Sequence, residues 1–502
     1  MKTMKKLICI VLCLLMVFSV AACGTEGTGS NNSSGEPANN SSVIVENSSE
    51  TPSDTSTDVT SVDAPSETVT PSQTSQGNTT SAPVSNLWVP GTNDNSDGGT
   101  SAPKQTSLTW KQVKAKLPKD ASGKEIELYN WNTQIPAQKA AIERFTKETG
   151  IKVKYTEEGY ETYLAKLASL VATGNPPTVV RLRDNTPSYM TSMQPINRTG
   201  YDFNDTYWDQ DILMEYNVNG LLYGVNLESS PFYQPMVTFY NQELIDKYDL
   251  EDPYDLWKSG KWTWKKMYEI CEDFLKAAGD GYSGLSTLVG EYVFSTGSSY
   301  YSYKDNKYSA NLKTTAFLKA IQNMNTQYNK GNICDIVGNY SDFSLGKILF
   351  CNESEIAGRQ SHYMMTEIKK KGTLRAVPIP AVDGQKEYYV PILENEAYGV
   401  PNKAKNIELV PYFLRFYLDT ANYNMNSFYA HKTILEAVEW TRSQKRVPVL
   451  NELDTNRTII GIVEGLLTCT TSQIKTLIES KYYPSAKDAA AQATKEIGKL
   501  VK

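Results

Sequence analysis

Ile126-Glu127-Leu128-Tyr129-Asn130-Trp131, then Pro136, Ala137, Ala141 and Phe145 at helical spacing, then Gly150-Ile151-Lys152-Val153-Lys154-Tyr155, form the stretch that decides the fold. The first six residues read as a short strand. Pro136 suits the first position of a helix, and Gly150 its C-terminal cap. Residues 151–155 read as the next strand. Tyr160, Tyr163, Leu164, Leu167, Leu170 and Val171 then recur at i, i+3, i+4, i+7, i+10 and i+11, an amphipathic helix that Gly174 and Pro176-Pro177 stop. Residues 178–182 read as a third strand. Strand and helix alternating at this spacing predict right-handed βαβ units and a mainly parallel sheet, whose ligands lie beyond the carboxyl ends of the strands.

Upstream, the chain changes character twice. Lys2, Lys5 and Lys6 precede an apolar run over residues 7–20 that is shorter than a membrane-spanning helix, and Val20-Ala21-Ala22-Cys23 closes it. This layout resembles the lipobox of bacterial lipoproteins, which implies lipidation of Cys23 and removal of residues 1–22. Residues 24–107 are rich in Ser, Thr, Asn, Gly and Pro, a composition that buries too little apolar surface to offset its ordering entropy. They are expected to form a disordered tether with a reach of roughly 50 Å. Residues 108–502 are expected to fold, and a head of that size predicts two lobes.

Charge and cysteine usage narrow the function. The formal net charge is −6, and the acids of the tether account for it, so the head is nearly neutral and carries no basic footprint for nucleic acid. Cys271, Cys334, Cys351 and Cys469 form no C-x-x-C pair and are expected to be buried free thiols; only Cys334 and Cys351 are near enough in sequence to suggest a disulfide. The two histidines, His362 and His431, stand in no Cys/His cluster, so neither a metal nor a cofactor is expected. Tyr and Trp, at 32 and 8 residues, outnumber the 13 Phe. Rings with a polar handle suit surfaces that are apolar on the face and wet at the edge, as the C–H faces and hydroxyl rim of a sugar are.

Several strings occur in a telling order: Phe145-Thr146-Lys147-Glu148-Thr149-Gly150-Ile151-Lys152-Val153, Gly174-Asn175-Pro176-Pro177-Thr178-Val179-Val180, Leu222-Tyr223-Gly224-Val225, Phe239-Tyr240-Asn241-Gln242-Glu243-Leu244, Gly260-Lys261-Trp262-Thr263-Trp264 and Ala397-Tyr398-Gly399-Val400-Pro401-Asn402-Lys403. Together they resemble the family 1 extracellular solute-binding proteins of carbohydrate ABC importers. Gln242, Asn226 and the surroundings of Gly358-Arg359 depart from the family pattern, which bears on the inner surface of the site and not on the fold. The resemblance implies a two-lobed α/β fold of the periplasmic-binding-protein type with a hinge and an interlobe cleft. Crossing segments are expected near 234–241, 389–396 and 447–452, with 126–233 and 397–446 in the first lobe. It also implies a carbohydrate ligand, ABC permease partners and a monomer, and the lipobox adds the expectation of a lipid anchor on the extracytoplasmic face of a Gram-positive cell membrane.

Candidate ligand residues follow from position. Trp131 and Asn132 end the first strand, and Asp184 and Asn185 follow the third. Ser229, Ser230 and Tyr233 precede the first crossing, Arg359 follows the strand at 348–351, and Glu394 and Asn395 lie on the second crossing. Trp262 and Trp264 are expected in the core or at the N-terminus of a helix over 265–274. An enzyme is the rival class, since Glu157, Glu158, Glu394 and Glu396 supply carboxylates for glycoside hydrolysis. A surface adhesin that binds glycans without a transporter is a third.

Overall fold

β1 (Glu125–Asn130) and β2 (Lys152–Glu157) flank the helix Pro136–Thr149, which starts on its proline and stops at Gly150 with φ 75°. That left-handed conformation favours glycine, and a Cβ there would also run into Ser122. The helix Tyr163–Ala172 leads to β3 (Val179–Leu182). The computed structural model describes residues 108–182, 187, 190–204, 207–287, 291–330, 333–335, 339–392, 396–448, 465–466 and 469–501. Cys23, Asp184, Asn185, Glu394 and Asn395 lie outside the described residues.

Farther along the chain come β4 (Met193–Gln194), a short hairpin of β5 (Asn217–Val218) and β6 (Leu221–Leu222), β7 (Met236–Asn241) and β8 (Ser283–Ser286). A second hairpin of β9 (Tyr301–Lys304) and β10 (Lys307–Ala310) precedes β11 (Cys334–Asp335), β12 (Ile348–Ser354) and β13 (Leu374–Pro378). The last are β14 (Tyr389–Ile392), β15 (Ala397–Pro401) and β16 (Lys445–Pro448).

Among the described residues two five-stranded sheets result, one per lobe, in the orders β2-β1-β3-β15-β4 and β11-β8-β12-β7-β13. In the first, β1 runs parallel to β2 and β3, while β15 is antiparallel to β3 and β4. The sheet is therefore mixed, parallel where the sequence reads βαβ and antiparallel where the chain returns from the other lobe. Both faces are covered. Ile126 and Leu128 of β1 pack with Phe145, which is wholly buried, and Phe413; Tyr129 faces the other way, onto Tyr163. Burying a ring such as Phe145 contributes on the order of 2–3 kcal/mol.

The second sheet repeats the principle around β7, the strand buried along its whole length. Met236 and Tyr240 face the helix Trp264–Ala278, whereas Val237 and Phe239 face the helix Lys432–Arg442. Gly358 sits between the two, where a Cβ would come within 2.7 Å of Phe239 and 2.9 Å of Ile434. The helix Lys432–Arg442 thus lies on the second sheet, although the sequence reading carries 397–446 with the first lobe; the helix Val410–Tyr417 does pack on the first. Its apolar face, Ile434 with Ala437 and Val438, meets the strand that Thr433 Oγ1 also contacts, accepting from Ala376 N at 3.3 Å.

The crossings are narrower than the sequence suggests. β14 and β16 run parallel, and Pro235 bridges Ile392, so three chain segments lie side by side between the sheets. Residues 236–241 belong to the second sheet rather than to the crossing. Trp262 and Trp264 are buried as expected, with Trp262 Nε1 donating to Pro378 O at 2.8 Å. Cys271 and Cys351 are buried free thiols. The hairpins also meet tip to tip: Asn306 Nδ2 donates to Asn219 Oδ1 at 2.6 Å and Tyr303 Oη to Asn217 O at 2.9 Å. Among the described residues, no helix is long and apolar enough to cross a membrane.

Candidate functional site

Register fixes where the strands point. Ala397, just past the second crossing, pairs with Leu182 at the end of β3, so β1, β2 and β3 all aim their carboxyl ends at the crossings. Ser354 at the end of β12 pairs with Met236, the residue after the Pro235 bridge, and β8 and β11 run parallel to β12. The carboxyl ends of both sheets therefore converge on the same three segments, the place where α/β sheets hold ligands.

On the first lobe that end carries an aromatic and charged group. The Arg181 guanidinium lies 4.1 Å from the centroid of the Trp131 ring, and Trp131 also meets Tyr163 edge-on at 5.0 Å and Tyr160 at 6.2 Å. Arg181 is 2 % exposed and pairs with Glu396, itself buried, at 3.2 Å. Gln234 Nε2 donates to the same carboxylate at 3.2 Å, and the Tyr398 hydroxyl donates to its other oxygen. Asn226 Nδ2 donates to the Glu396 carbonyl at 2.6 Å. Hydrogen bonds to the Glu396 carboxylate of this kind offset part of the cost of burying it. Three segments of the chain, β3, the first crossing and the start of β15, are tied together through one carboxylate.

Asn132 is exposed, and its carbonyl accepts from Tyr155 Oη at 2.7 Å. Burial pushes the Tyr155 hydroxyl well above its ordinary range, so it stays a donor. Glu158 pairs with Lys166 at 2.7 Å, and hydrogen bonds from Lys166 and Thr162 hold its carboxyl down at about 2. It is ionised at any ordinary pH.

The second lobe presents a different set. Past β8, Thr287 Oγ1 donates to Glu291 Oε2 at 2.5 Å, with Glu291 2 % exposed. Past β11, Asn339 N donates to Ser286 Oγ at 2.9 Å and Tyr340 follows it. On β12, the buried Glu353 accepts from the Tyr340 hydroxyl and from Ser354 N. Burial raises the Glu353 carboxyl to about 7; the Tyr340 and Ser354 hydrogen bonds oppose that shift and the neighbouring Glu291 adds to it.

Of the remaining sequence candidates, Arg359, Ser230 and Tyr233 have other partners, whereas the Ser229 hydroxyl is buried and meets no hydrogen-bond partner among the described residues. Arg359 forms a fork with Glu355, whose side chain is wholly buried, and its guanidinium lies 5.0 Å from the Phe428 ring. Ser230 is buried, its hydroxyl accepts from Phe232 N, and its carbonyl takes Arg442 Nη2 at 2.8 Å. Tyr233 is buried with Arg442 and Arg446 guanidinia 4.7 and 5.5 Å from its ring. Ser229 is half-buried in the same turn. Arg446 also pairs with Asp209 and, at 2.6 Å, with Glu228. The turn before the first crossing is thus a clamped structural joint.

Sequence reasoning missed Arg181, Gln234, Tyr340, Glu291 and Glu353. Arg181 had a signal, a charge inside the apolar run Val179-Val180-Arg181-Leu182. Glu353 had a similar one at the end of Ile348-Leu349-Phe350-Cys351-Asn352-Glu353. Among the described residues no cluster of His, Cys, Asp and Glu has the make-up of a metal site.

Comparisons with known proteins agree with this fold. A family model for bacterial extracellular solute-binding proteins matches residues 140–430, more than half of the chain. Among solved structures, the cyclic alpha-maltosyl-1,6-maltose binding protein of Arthrobacter globiformis is 13% identical, with a TM-score of 0.54 over 74% of this chain and 98% of that one. The galacto-N-biose/lacto-N-biose I-binding protein of Bifidobacterium longum is also 13% identical, with a TM-score of 0.54 over 76% and 99%. The sugar-binding protein MalE of Xanthomonas citri is 12% identical, with a TM-score of 0.52 over 75% and 98%. At such identities the likeness is one of fold. No curated protein matches the chain by sequence.

Proposed function

Because the chain belongs to the bacterial extracellular solute-binding proteins, we propose that it captures a carbohydrate, an oligosaccharide, between its lobes and delivers it to an ABC permease. The observation that carries this reading is the convergence of both sheets' carboxyl ends on the crossings, with an indole at one end and buried carboxylates and a tyrosine at the other. An aromatic face beside hydrogen-bonding groups suits a neutral polyol. The solved proteins of like fold support the class, since their names state binding of cyclic maltosyl-maltose and lacto-N-biose. Trp131 and Asn132 from the first lobe, with Asp184, Asn185, Glu394 and Asn395, are the proposed ligand residues, and Glu291, Tyr340 and Glu353 join them from the second. Closure of the lobes about the crossings would couple occupancy to shape.

In this reading residues 1–22 are a lipoprotein signal, Cys23 is lipidated, and residues 24–107 tether the head to the extracytoplasmic face of the membrane. Acyl chains contribute about 0.8 kcal/mol per buried methylene, so more than one chain holds the protein firmly at a bilayer. The protein acts by binding, as its family does.

The experiment is a thermal-shift screen of the full chain against a saccharide panel. A sugar at about 100 times its dissociation constant adds roughly 2.7 kcal/mol of stability, a visible rise in Tm. No shift across mono-, di- and oligosaccharides, or hydrolysis of the panel, would overturn the reading. Retention of Cys23→Ala in the membrane pellet would overturn the anchor alone.

A further inference from the structure

On the flank of the second lobe, the helices Trp264–Ala278 and Thr315–Tyr328 leave a groove enclosing a cavity of about 460 Å³. Its walls share no residue with the carboxyl-end sets described above. The size falls in the range of small-molecule sites, roughly 300–1,000 Å³. On one wall Tyr268, Glu269 and Glu272 follow at helical spacing, and on the other Asn323, Gln327 and Lys330 do so.

The floor is aromatic and fixed. Tyr292 is half-buried, its ring edge-on to the buried Trp264 at 5.2 Å, and Trp264 Nε1 donates to Ser295 Oγ at 2.9 Å. Asn323 Nδ2 donates to Tyr292 Oη at 3.3 Å, so the ring is held from above as well as from below. Beside it, Gln327 Oε1 is buried and accepts no hydrogen bond from any described residue. A buried amide oxygen left unmet is unfavourable, so the groove favours a ligand that brings a donor.

Charge narrows the ligand further. Charges of both signs line the groove, Lys265 and Lys330 with Glu269, Glu272 and Asp383, and Asp383 already accepts from Lys265 N at 3.1 Å. An anion would face the glutamates, a cation the lysines, and a hydrocarbon would leave the Gln327 oxygen unmet and bury the charged rim. A neutral molecule with a C–H face and hydroxyl edges meets all these conditions.

We propose that this groove is a second carbohydrate site, which takes a neutral mono- or disaccharide unit over Tyr292, with Trp264 beneath that ring and a hydroxyl donated to Gln327, apart from the interlobe cleft. A protein with two such sites can hold a polysaccharide strand or a second sugar while the cleft loads.

The test uses the full chain labelled with 5-fluorotryptophan, in which Trp264→Phe and Trp131→Phe assign the two relevant ¹⁹F resonances. Maltose, cellobiose, xylobiose and lactose are titrated in turn. At least one should move the Trp264 resonance saturably, and Gln327→Leu should weaken that response by roughly tenfold, the loss of one good hydrogen bond. The rim variant Glu272→Gln, which replaces a carboxylate acceptor by an amide, should also weaken it. The proposal is overturned if no sugar moves Trp264, or if Trp264 and Trp131 titrate with one dissociation constant that neither variant changes, which would mark a cleft event transmitted to the flank. Failure of the cleft reading is a separate result, a silent Trp131 beside a responding Trp264.

Discussion

The two lobes bring opposite electrostatics to the same place. At the end of the first sheet, Glu396 is neutralised by Arg181 at 3.2 Å and supported by Gln234 and Tyr398. At the end of the second, Glu353 is as deeply buried, yet it has a phenol and a backbone amide for partners, and another buried carboxylate, Glu291, nearby. One lobe answers burial with a counter-ion and the other with a proton. The first arrangement pairs its charge inside the fold. The second changes charge within the neutral range, so the two faces of the proposed cleft should respond differently to mutation and to pH.

The largest effect expected is at Arg181. Arg181→Met leaves Glu396 buried without its counter-charge, and breaking a buried pair typically costs about 3–5 kcal/mol. Denaturant unfolding of the unliganded chain should show a loss of that size, and the double variant with Glu396→Gln should recover part of it. A loss below about 1 kcal/mol, or no recovery, would mean that Glu396 is not held by Arg181 and that the contrast between the lobes is wrong.

Next is the pH response of Glu353. Its folded-state carboxyl sits at about 7 against an ordinary value of 4.5, because burial disfavours the charged form. A carboxyl raised on folding favours the fold while protonated, so its contribution is complete below the ordinary value and is lost as pH rises through about 7. At 1.36 kcal/mol per unit, the swing is on the order of 3 kcal/mol. The difference in stability between parent and Glu353→Gln should therefore move against the parent between about pH 5 and about pH 8. A flat difference would show that Glu353 is ionised in the fold throughout, as Glu158 is.

The same contrast explains what the sequence could reveal. The first lobe is legible because its signals are local: Pro136 and Gly150 bound one helix, and the apolar spacing from Tyr163 to Val171 shows the other. The second lobe shows β12 as an apolar run but hides β8 and β11. Ser283-Gly284-Leu285-Ser286 has one strongly apolar residue, and β11 spans only Cys334–Asp335, so neither stands out from a turn. The site divides the same way. Trp131 follows from its place at the end of β1, whereas its partner Arg181 and the distant Glu396 are joined by a pairing of β3 with β15 that no local pattern encodes. Arg359 shows the complementary case: its place in a loop after a strand is legible, but its pair with Glu355, one helical turn earlier, is not.

The smallest expected stability effect, at Trp131, tests whether the ion-paired side of the contrast also does the binding. The indole is half-buried, with the Arg181 guanidinium 4.1 Å from its ring centroid and Tyr163 5.0 Å from it. A cation–π contact contributes about 0.5–2 kcal/mol and an aromatic pair about 0.5–1.5 kcal/mol, so Trp131→Ala should lower the unliganded stability by about 1–2 kcal/mol after relaxation. A tryptophan wholly in the core would cost about 3–5 kcal/mol instead. If the ring also carries a sugar face, the dissociation constant should rise by roughly tenfold or more, since one decade corresponds to about 1.4 kcal/mol. Trp131→Phe should restore stability better than affinity, because a smaller ring can still cap Arg181 while offering a sugar less surface. Unfolding and ligand titration on the same samples separate the roles: unchanged affinity together with the expected loss of stability would leave Trp131 as the cover of the Arg181–Glu396 pair and move the proposed sugar platform to Tyr340 on the opposite lobe.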